Sequence, residues 1–388
     1  MTENREQASR ILEHFVELLD IPEHYYELAK RRYESLAEWF HREASNIARF
    51  DPAVYPQGSF RLGTVIRPLS DVEEYDLDLV SALMLLSKAD LSQADLKQLV
   101  GEEVRAYARA KGVKEPVTEK KRCWRLDYAD EVRFHMDILP ALPDDETFKR
   151  MLVQQGIPQE QADHSLAITD KARSNYTSIS DDWPRSNPKD YALWFEGRMK
   201  VVAQQRRLAL VEKRAYASVD DVPAYEWKTP LQRAVKILKR HRDVMFRDQP
   251  ELRPISIIIS TLSAEAYEGE SDLFSALSNI LDSMPGLIRP QEPRVPNPVD
   301  PTEDFADKWK SDFRLEQSFL AWHRQACADA RRLAGAIGAR GLAVLAETGF
   351  GIDIADERCR ALAGEADAPT AAPSIIVGSA PRPWRQDG

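Results

Sequence analysis

Asp76 and Asp78 stand two residues apart in the run Tyr-Asp-Leu-Asp-Leu-Val (75–80), whose other members are apolar. Aspartate is among the residues that strands avoid, yet the alternation is that of a strand. Residues i and i+2 of a strand share a face, so the two carboxylates project together while Leu77 and Leu79 enter a core. Carboxylates this close repel each other, and desolvating them is costly unless something compensates. A hard divalent cation with oxygen ligands does so; Mg²⁺ suits the role, as two ions, with Mn²⁺ as the alternative. A third acid, Asp137, lies in Phe-His-Met-Asp-Ile-Leu (134–139), where Phe134, Met136 and Ile138 alternate with His135 and Asp137. Three carboxylates on neighbouring strands are the acidic set of a two-metal phosphoryl-transfer site. A lone Asp-x-Asp most often just faces water at a sheet edge. Gly58-Ser59 upstream argues otherwise, because a Gly-Ser turn brings backbone N–H groups and a hydroxyl close to a phosphate.

The elements around these residues read as follows. Arg5 to Phe50 has a helical pattern, which Ile21-Pro22 should break into a short helix and a long one. Ser92 is placed to cap a helix running to about Ala110 and stopped by Gly112. Lys121 to Pro140 reads as a β-hairpin turning at residues 127–131. Beyond about Ala215 the strand signals fade. Thr229 and Pro230 open a helix, the apolar run from Ser256 reads as a buried helix, and a proline-rich loop (289–301) precedes two or three more helices before Gly349. The fold class is therefore α+β: a catalytic lobe over 1–215, a helical lobe over 216–363, and a tail over 364–388 rich in Ala, Pro, Ser and Gly.

Bulk properties narrow the function. The chain has 388 residues, 43% hydrophobic and 30% charged, with a formal net charge of −10. A protein that grips nucleic-acid polymer normally shows a basic balance, so no obligate DNA or RNA partner is expected. There is no apolar run long enough to cross a membrane and no signal-peptide core, so the expected location is cytoplasmic. Cys123, Cys327 and Cys359 are scattered without a Cys-x-x-Cys. His323 and Cys327 stand four apart on a helix, with Cys359 in the same region, but buried structural cysteines are commoner than such a metal site.

Gly58-Ser59, Asp76-x-Asp78 and a later strand aspartate together resemble the nucleotidyltransferase superfamily typified by DNA polymerase β. Within it, the stretches 55–80, 134–142, 183–195 and 297–309 are similar to the bacterial relatives of cyclic GMP–AMP synthase and oligoadenylate synthase, the CD-NTases of CBASS antiphage defence. The resemblance implies a polymerase-β-like lobe with a mixed sheet and a long N-terminal spine helix, joined to an oligoadenylate-synthase-like helical lobe. It implies that Gly58 and Ser59 hold the donor triphosphate and that Asp76 and Asp78 bind two Mg²⁺ ions. Asp137 would share one metal and help deprotonate the acceptor ribose hydroxyl; Asp127, on the preceding strand, is the fallback third acid. Lys239 would contact phosphate, with Lys236 one turn earlier assisting, and Ser256 would touch a base. Tyr191 and Trp194 read as core.

The activity implied is synthesis of a cyclic dinucleotide, such as a cyclic GMP–AMP, from ATP and/or GTP with release of pyrophosphate. Two alternatives remain: a transferase making linear oligoadenylate or acting on RNA, protein or a small molecule, and an inactive nucleotide-binding regulator. Base identity and linkage are open. Some CBASS operons encode an E1/E2-like enzyme that conjugates the C-terminus of the nucleotidyltransferase. By that resemblance Gly388 would be the conjugation point, with Trp384 and Arg385 aiding recognition.

Overall fold

The computed structural model describes residues 2–69, 75–128, 134–212, 228–335 and 337–365. The hairpin tip at 129–133, the lobe boundary at 215/216 and the tail with Trp384, Arg385 and Gly388 lie outside the described residues.

Two helices lead the chain, α1 (Thr2–Leu19) and α2 (Glu23–His41), separated at Ile21-Pro22 as expected. They are nearly equal in length, so the spine is two segments rather than a short helix and a long one. The break sends them to different cores. Ile11, Leu12, Phe15 and Leu19 of α1 pack into the helical lobe, whereas Ala29, Leu36 and Phe40 of α2 pack under the sheet.

The sheet lobe follows: β1 (Pro52–Pro56), α3 (Gly58–Leu62), β2 (Tyr75–Leu83), α4 (Gln93–Lys111), β3 (Thr118–Glu119), β4 (Trp124–Tyr128), β5 (Phe134–Pro143), α5 (Glu146–Gln154), α6 (Gln159–Ala162), β6 (Leu166–Ile168) and β7 (Arg185–Ser186). The strand order is β1-β2-β5-β4-β3, with β6 taking up the end of β5 and β7 pairing β6. Only β2 and β5 run parallel, so the sheet is mixed. One face of β2, β4 and β5 is buried at every second residue (Leu77 and Leu79; Trp124 and Leu126; Phe134, Met136 and Ile138) against α2 and α4. The other face carries the charges.

Helices build the second lobe: α7 (Pro188–Glu212), α8 (Pro230–Met245), α9 (Ser256–Ala266), α10 (Leu273–Leu287), then a ribbon of β8 (Pro296–Asn297) and β9 (Asp300–Asp304), and α11 (Phe313–Ala334), α12 (Ala339–Phe350) and α13 (Asp356–Ala363). The expected starts hold. Ser92 caps α4 through a capping box with Asp95, and Gly112 ends it in the left-handed conformation. Thr229 caps α8 through a second box with Gln232. α9 is the buried helix expected from its apolar run. Strand β1 and the β8–β9 ribbon were not foreseen, because prolines at 52, 56, 296 and 298 read as breakers. Proline is tolerated on edge strands, and β1 ends the sheet.

Gly101, inside α4, sits flat against the Trp124 indole; a Cβ there would overlap the ring. Trp124 is itself fixed by donating Nε1–H to the Lys97 carbonyl (2.7 Å). Gly101→Ala should therefore destabilise the sheet lobe by about 2 kcal/mol, overpacking outweighing the helix-propensity gain of about 1 kcal/mol. Thermal unfolding checks this; an unchanged or higher Tm contradicts it.

Candidate active site

The site is a product of strand register. Asp78 on β2 lies opposite Asp137 on β5, which lies opposite Arg125 on β4. One step along, Asp76 lies opposite His135, which lies opposite Asp127. All six share the polar face. Charge thus runs in two rows across the sheet, and each row places a basic group beside its carboxylates.

The contacts follow from those rows. Arg125 donates from Nε and Nη2 to the two oxygens of Asp137 (2.7 and 2.8 Å), a fork-to-fork pair. Its Nη2 also lies 3.8 Å from Asp76 Oδ1. Asp127 holds His135 at Nδ1 (2.6 Å). Burial pushes Asp78 up to about 7, with the charges of Asp76 and Asp137 adding to the rise. Asp76 is raised too, chiefly by burial, with Arg125 and His135 opposing. The Asp76 side chain is 61% exposed and water-screened, so the stability consequence falls on Asp78.

Gly58 is required where it stands. The Gln57 N–H donates to the Asp78 carbonyl (2.8 Å), which brings the Gly58 turn against the Asp78 side chain. A Cβ on Gly58 would lie 2.5 Å from Asp78 Oδ2, and the backbone has φ +61°. Only glycine fits both demands. Ser59 follows in the first turn of α3.

The helical lobe closes the face from above. Gln232 completes the α8 capping box and also donates to the Leu62 carbonyl at the end of α3 (3.0 Å). One turn past Lys236, Lys239 donates to the Thr64 carbonyl (2.8 Å). Burial lowers Lys239 to about 8, with Arg242 contributing. Between the lobes is a cleft of about 950 Å³ lined by Gly58, Ser59, Asp76, Asp78, Lys239 and Ser256 among others. That volume is at the upper end for small-molecule sites.

Two of the sequence-derived residues are placed differently. Lys236 does not line the cleft; it is fully buried and ion-paired with Asp20, just after α1. Asp137 lies beneath Arg125 rather than on the cleft wall, its side chain 17% exposed. Accordingly, among the described residues no three His, Cys, Asp or Glu side chains already converge as a metal cage. Ser256 opens α9 and accepts from Arg242 Nη1 (2.8 Å), so it faces the cleft as an already bonded hydroxyl. His323 Nε2 donates to the Leu281 carbonyl (2.7 Å), and Cys359 is buried against the Ile354 carbonyl, which favours the structural reading of that group. Tyr191 is core and Trp194 packs against it.

A family model described as cyclic GMP-AMP synthase DncV-like, nucleotidyltransferase domain, matches residues 52–140, the segment that carries Gly58, Asp76, Asp78 and Asp137. A c-di-GMP synthase of Roseivirga ehrenbergii is 31% identical over 326 residues, which is 83% of this chain and 78% of that one. The chain belongs to the DncV-like nucleotidyltransferases. A second relative of this CD-NTase, the cyclic dinucleotide synthase CdnG of Bradyrhizobium diazoefficiens, is 24% identical over 331 residues, covering 79% of this chain and 70% of that one. The GTP complex of CdnG superposes with a TM-score of 0.66 at 20% identity, over 92% of this chain and 98% of that one. Vibrio cholerae DncV superposes at 0.55 and 15% identity, over 92% and 88% of the two chains. These superpositions bear on the fold. No helix among the described residues of the CD-NTase is long and apolar enough to cross a membrane.

The raised pKa of Asp78 makes a testable demand on stability. Its folded value lies above the unfolded 3.8, so between about pH 4 and 7 unfolding ionises it and stability falls as pH rises. In EDTA, wild type should lose Tm from pH 5 to 8 relative to Asp78→Asn, which has no such group. The variant should melt higher at pH 8, with the gap narrowing at pH 5. A gap independent of pH would contradict a buried, ionisable Asp78.

Proposed function

We propose that this enzyme joins two molecules of GTP into cyclic di-GMP with release of two pyrophosphates, using Asp76, Asp78 and Asp137 as its acidic set and two divalent cations, Mg²⁺ first. The observation that carries the reading is the register that stacks Asp78 on Asp137 beside the Gly58 turn, in a chain that shares 31% identity with a c-di-GMP synthase. The oxygen-only acids on the cleft wall suit a hard cation. Bound there, the cations would neutralise phosphate charge and activate the acceptor hydroxyl.

The chain's own residues supply the rest. Gly58 and Ser59 present backbone N–H groups and a hydroxyl to the donor phosphates, and Lys239 stands ready as a buried amine on the same side. Asp137 takes the ribose hydroxyl proton. Asp243, which also lines the cleft, supports guanine. Its Oδ1 accepts from Arg242 Nε and Nη2 (2.9 and 2.6 Å) and Arg253 Nη1 (3.3 Å), and among the described residues Oδ2 takes no such bond, so it would be open to the N–H donors of a guanine edge. Two nucleotides must be held at once, and the cleft volume accommodates that.

Mass spectrometry of the product from GTP, ATP or both, with Mg²⁺, tests the proposal: cyclic di-GMP from GTP alone is expected. A solely linear product, or one made only from ATP, overturns it. Asp76→Asn with Asp78→Asn should abolish product in a folded protein, and Asp137→Asn should bind donor GTP yet lose turnover by orders of magnitude. Asp243→Asn should cut kcat/KM for GTP about tenfold or more while sparing Mg²⁺ dependence.

A further inference from the structure

Arg125 has no role in the chemistry so far, yet it holds a strategic place. It covers Asp137, engages both oxygens of that carboxylate, and leans towards Asp76 while lining the cleft itself. Asp137 is 17% exposed beneath it, against 61% for Asp76. Register puts it there: Trp124 and Leu126 bury on the core side of β4, so Arg125 must stand on the acidic face opposite Asp137.

Each oxygen of Asp137 keeps a second lone pair, but the guanidinium takes the forked side of the carboxylate and its positive charge opposes a cation arriving at the same group. We propose that Arg125 is a guanidinium cap on the third acid. In the metal-free enzyme it stands in for the missing positive charge and keeps Asp137 covered. On loading of divalent cation and nucleotide it yields an oxygen of Asp137 to the reaction, remaining on the other. Arg125 is thus a positioning residue acting through Asp137, and the inference rests on the two-cation reading above.

The cap and the cations compete for the same carboxylates, so weakening the cap should tighten metal binding while loosening the acid it orients. The test uses Mn²⁺ with a GTP analogue carrying a methylene between the α and β phosphates, which cannot react. Bound Mn²⁺ is measured by electron paramagnetic resonance, in excess over the Asp76→Asn, Asp78→Asn double variant. Arg125→Gln should bind Mn²⁺ about tenfold more tightly than wild type, since a unit positive charge is removed at contact distance. With GTP, its half-saturating metal concentration should fall and its kcat at saturating metal should fall as well. Arg125→Lys, a point charge that lacks the fork, should shift both in the same direction by about threefold, and serves if the Gln variant does not fold. Mn²⁺ affinity unchanged or weakened in the folded variants overturns the cap and leaves Arg125 as a structural tie. Absence of any wild-type excess over the double variant overturns instead the two-cation reading on which the cap depends.

Discussion

The parallel pairing of β2 with β5 is the constraint from which the rest of the molecule follows. It sets Asp78 against Asp137 on one face of a sheet whose other face must bury Leu77, Leu79, Met136 and Ile138. A slip of one residue would turn the acids into the core and the leucines into the cleft. The apolar face therefore specifies the acidic one: α2 and α4 hold the register by burying one set of side chains, and the acids inherit their alignment. Once aligned, they repel. Everything nearby can be understood as an answer to that repulsion, from the Arg125 fork to the His135–Asp127 pair.

The helical lobe answers from the other side. α8 carries three groups at successive depths: Gln232 ties the end of α3, Lys239 reaches the loop after it, and Arg242 steadies Asp243 and Ser256. Because Gln232 serves both its own helix cap and the Leu62 carbonyl, the Gly58–Ser59 turn is fixed relative to α8 as firmly as to β2. That matters for a site built between two lobes, where preorganised groups act only if they are held at the right spacing. Lys236 contributes differently: its ion pair with Asp20 pins α8 to the joint between α1 and α2, where the two cores meet.

How much of this was legible in the sequence depended on whether a residue announces itself through its own neighbours. Asp76, Asp78 and Asp137 did, because charged residues at period two within apolar runs mark one face of a strand, and Gly58-Ser59 upstream tilts the reading away from a plain solvent edge. The caps at Ser92 and Thr229 did too, since capping is local. Arg125 was missed although the same signal was present, Trp124 and Leu126 alternating with Arg125 and Asp127. Only the cross-strand partner gives that alternation meaning. β1 and the β8–β9 ribbon were hidden by prolines that edge strands accept. Lys236 and Lys239 look alike from sequence, three apart on one helix. What separates them is Asp20, more than two hundred residues away, and distant pairing of that kind is written nowhere in the local pattern.

Asp78 and Lys239 are shifted in opposite directions, the acid up to about 7 and the amine down to about 8, each mainly by burial. Each is therefore held where burial disfavours its ionised form. The charges of Asp78 and Lys239 favour each other's ionised forms, but burial outweighs that help, and the amine's hydrogen bond goes to the Thr64 carbonyl rather than to a carboxylate. On the proposed function the ligands would bring what each lacks: cations for the carboxylates, phosphates for the amine. A nucleotide alone would add negative charge beside Asp78, and a cation alone would add positive charge towards Lys239 and Arg242. Bound together they would satisfy both, so on the proposed function the charges lining the cleft favour joint occupancy over either partner by itself. On that reading, cooperativity between metal and nucleotide would follow from the placement of two buried groups, Asp78 and Lys239, on opposite lobes of one cleft.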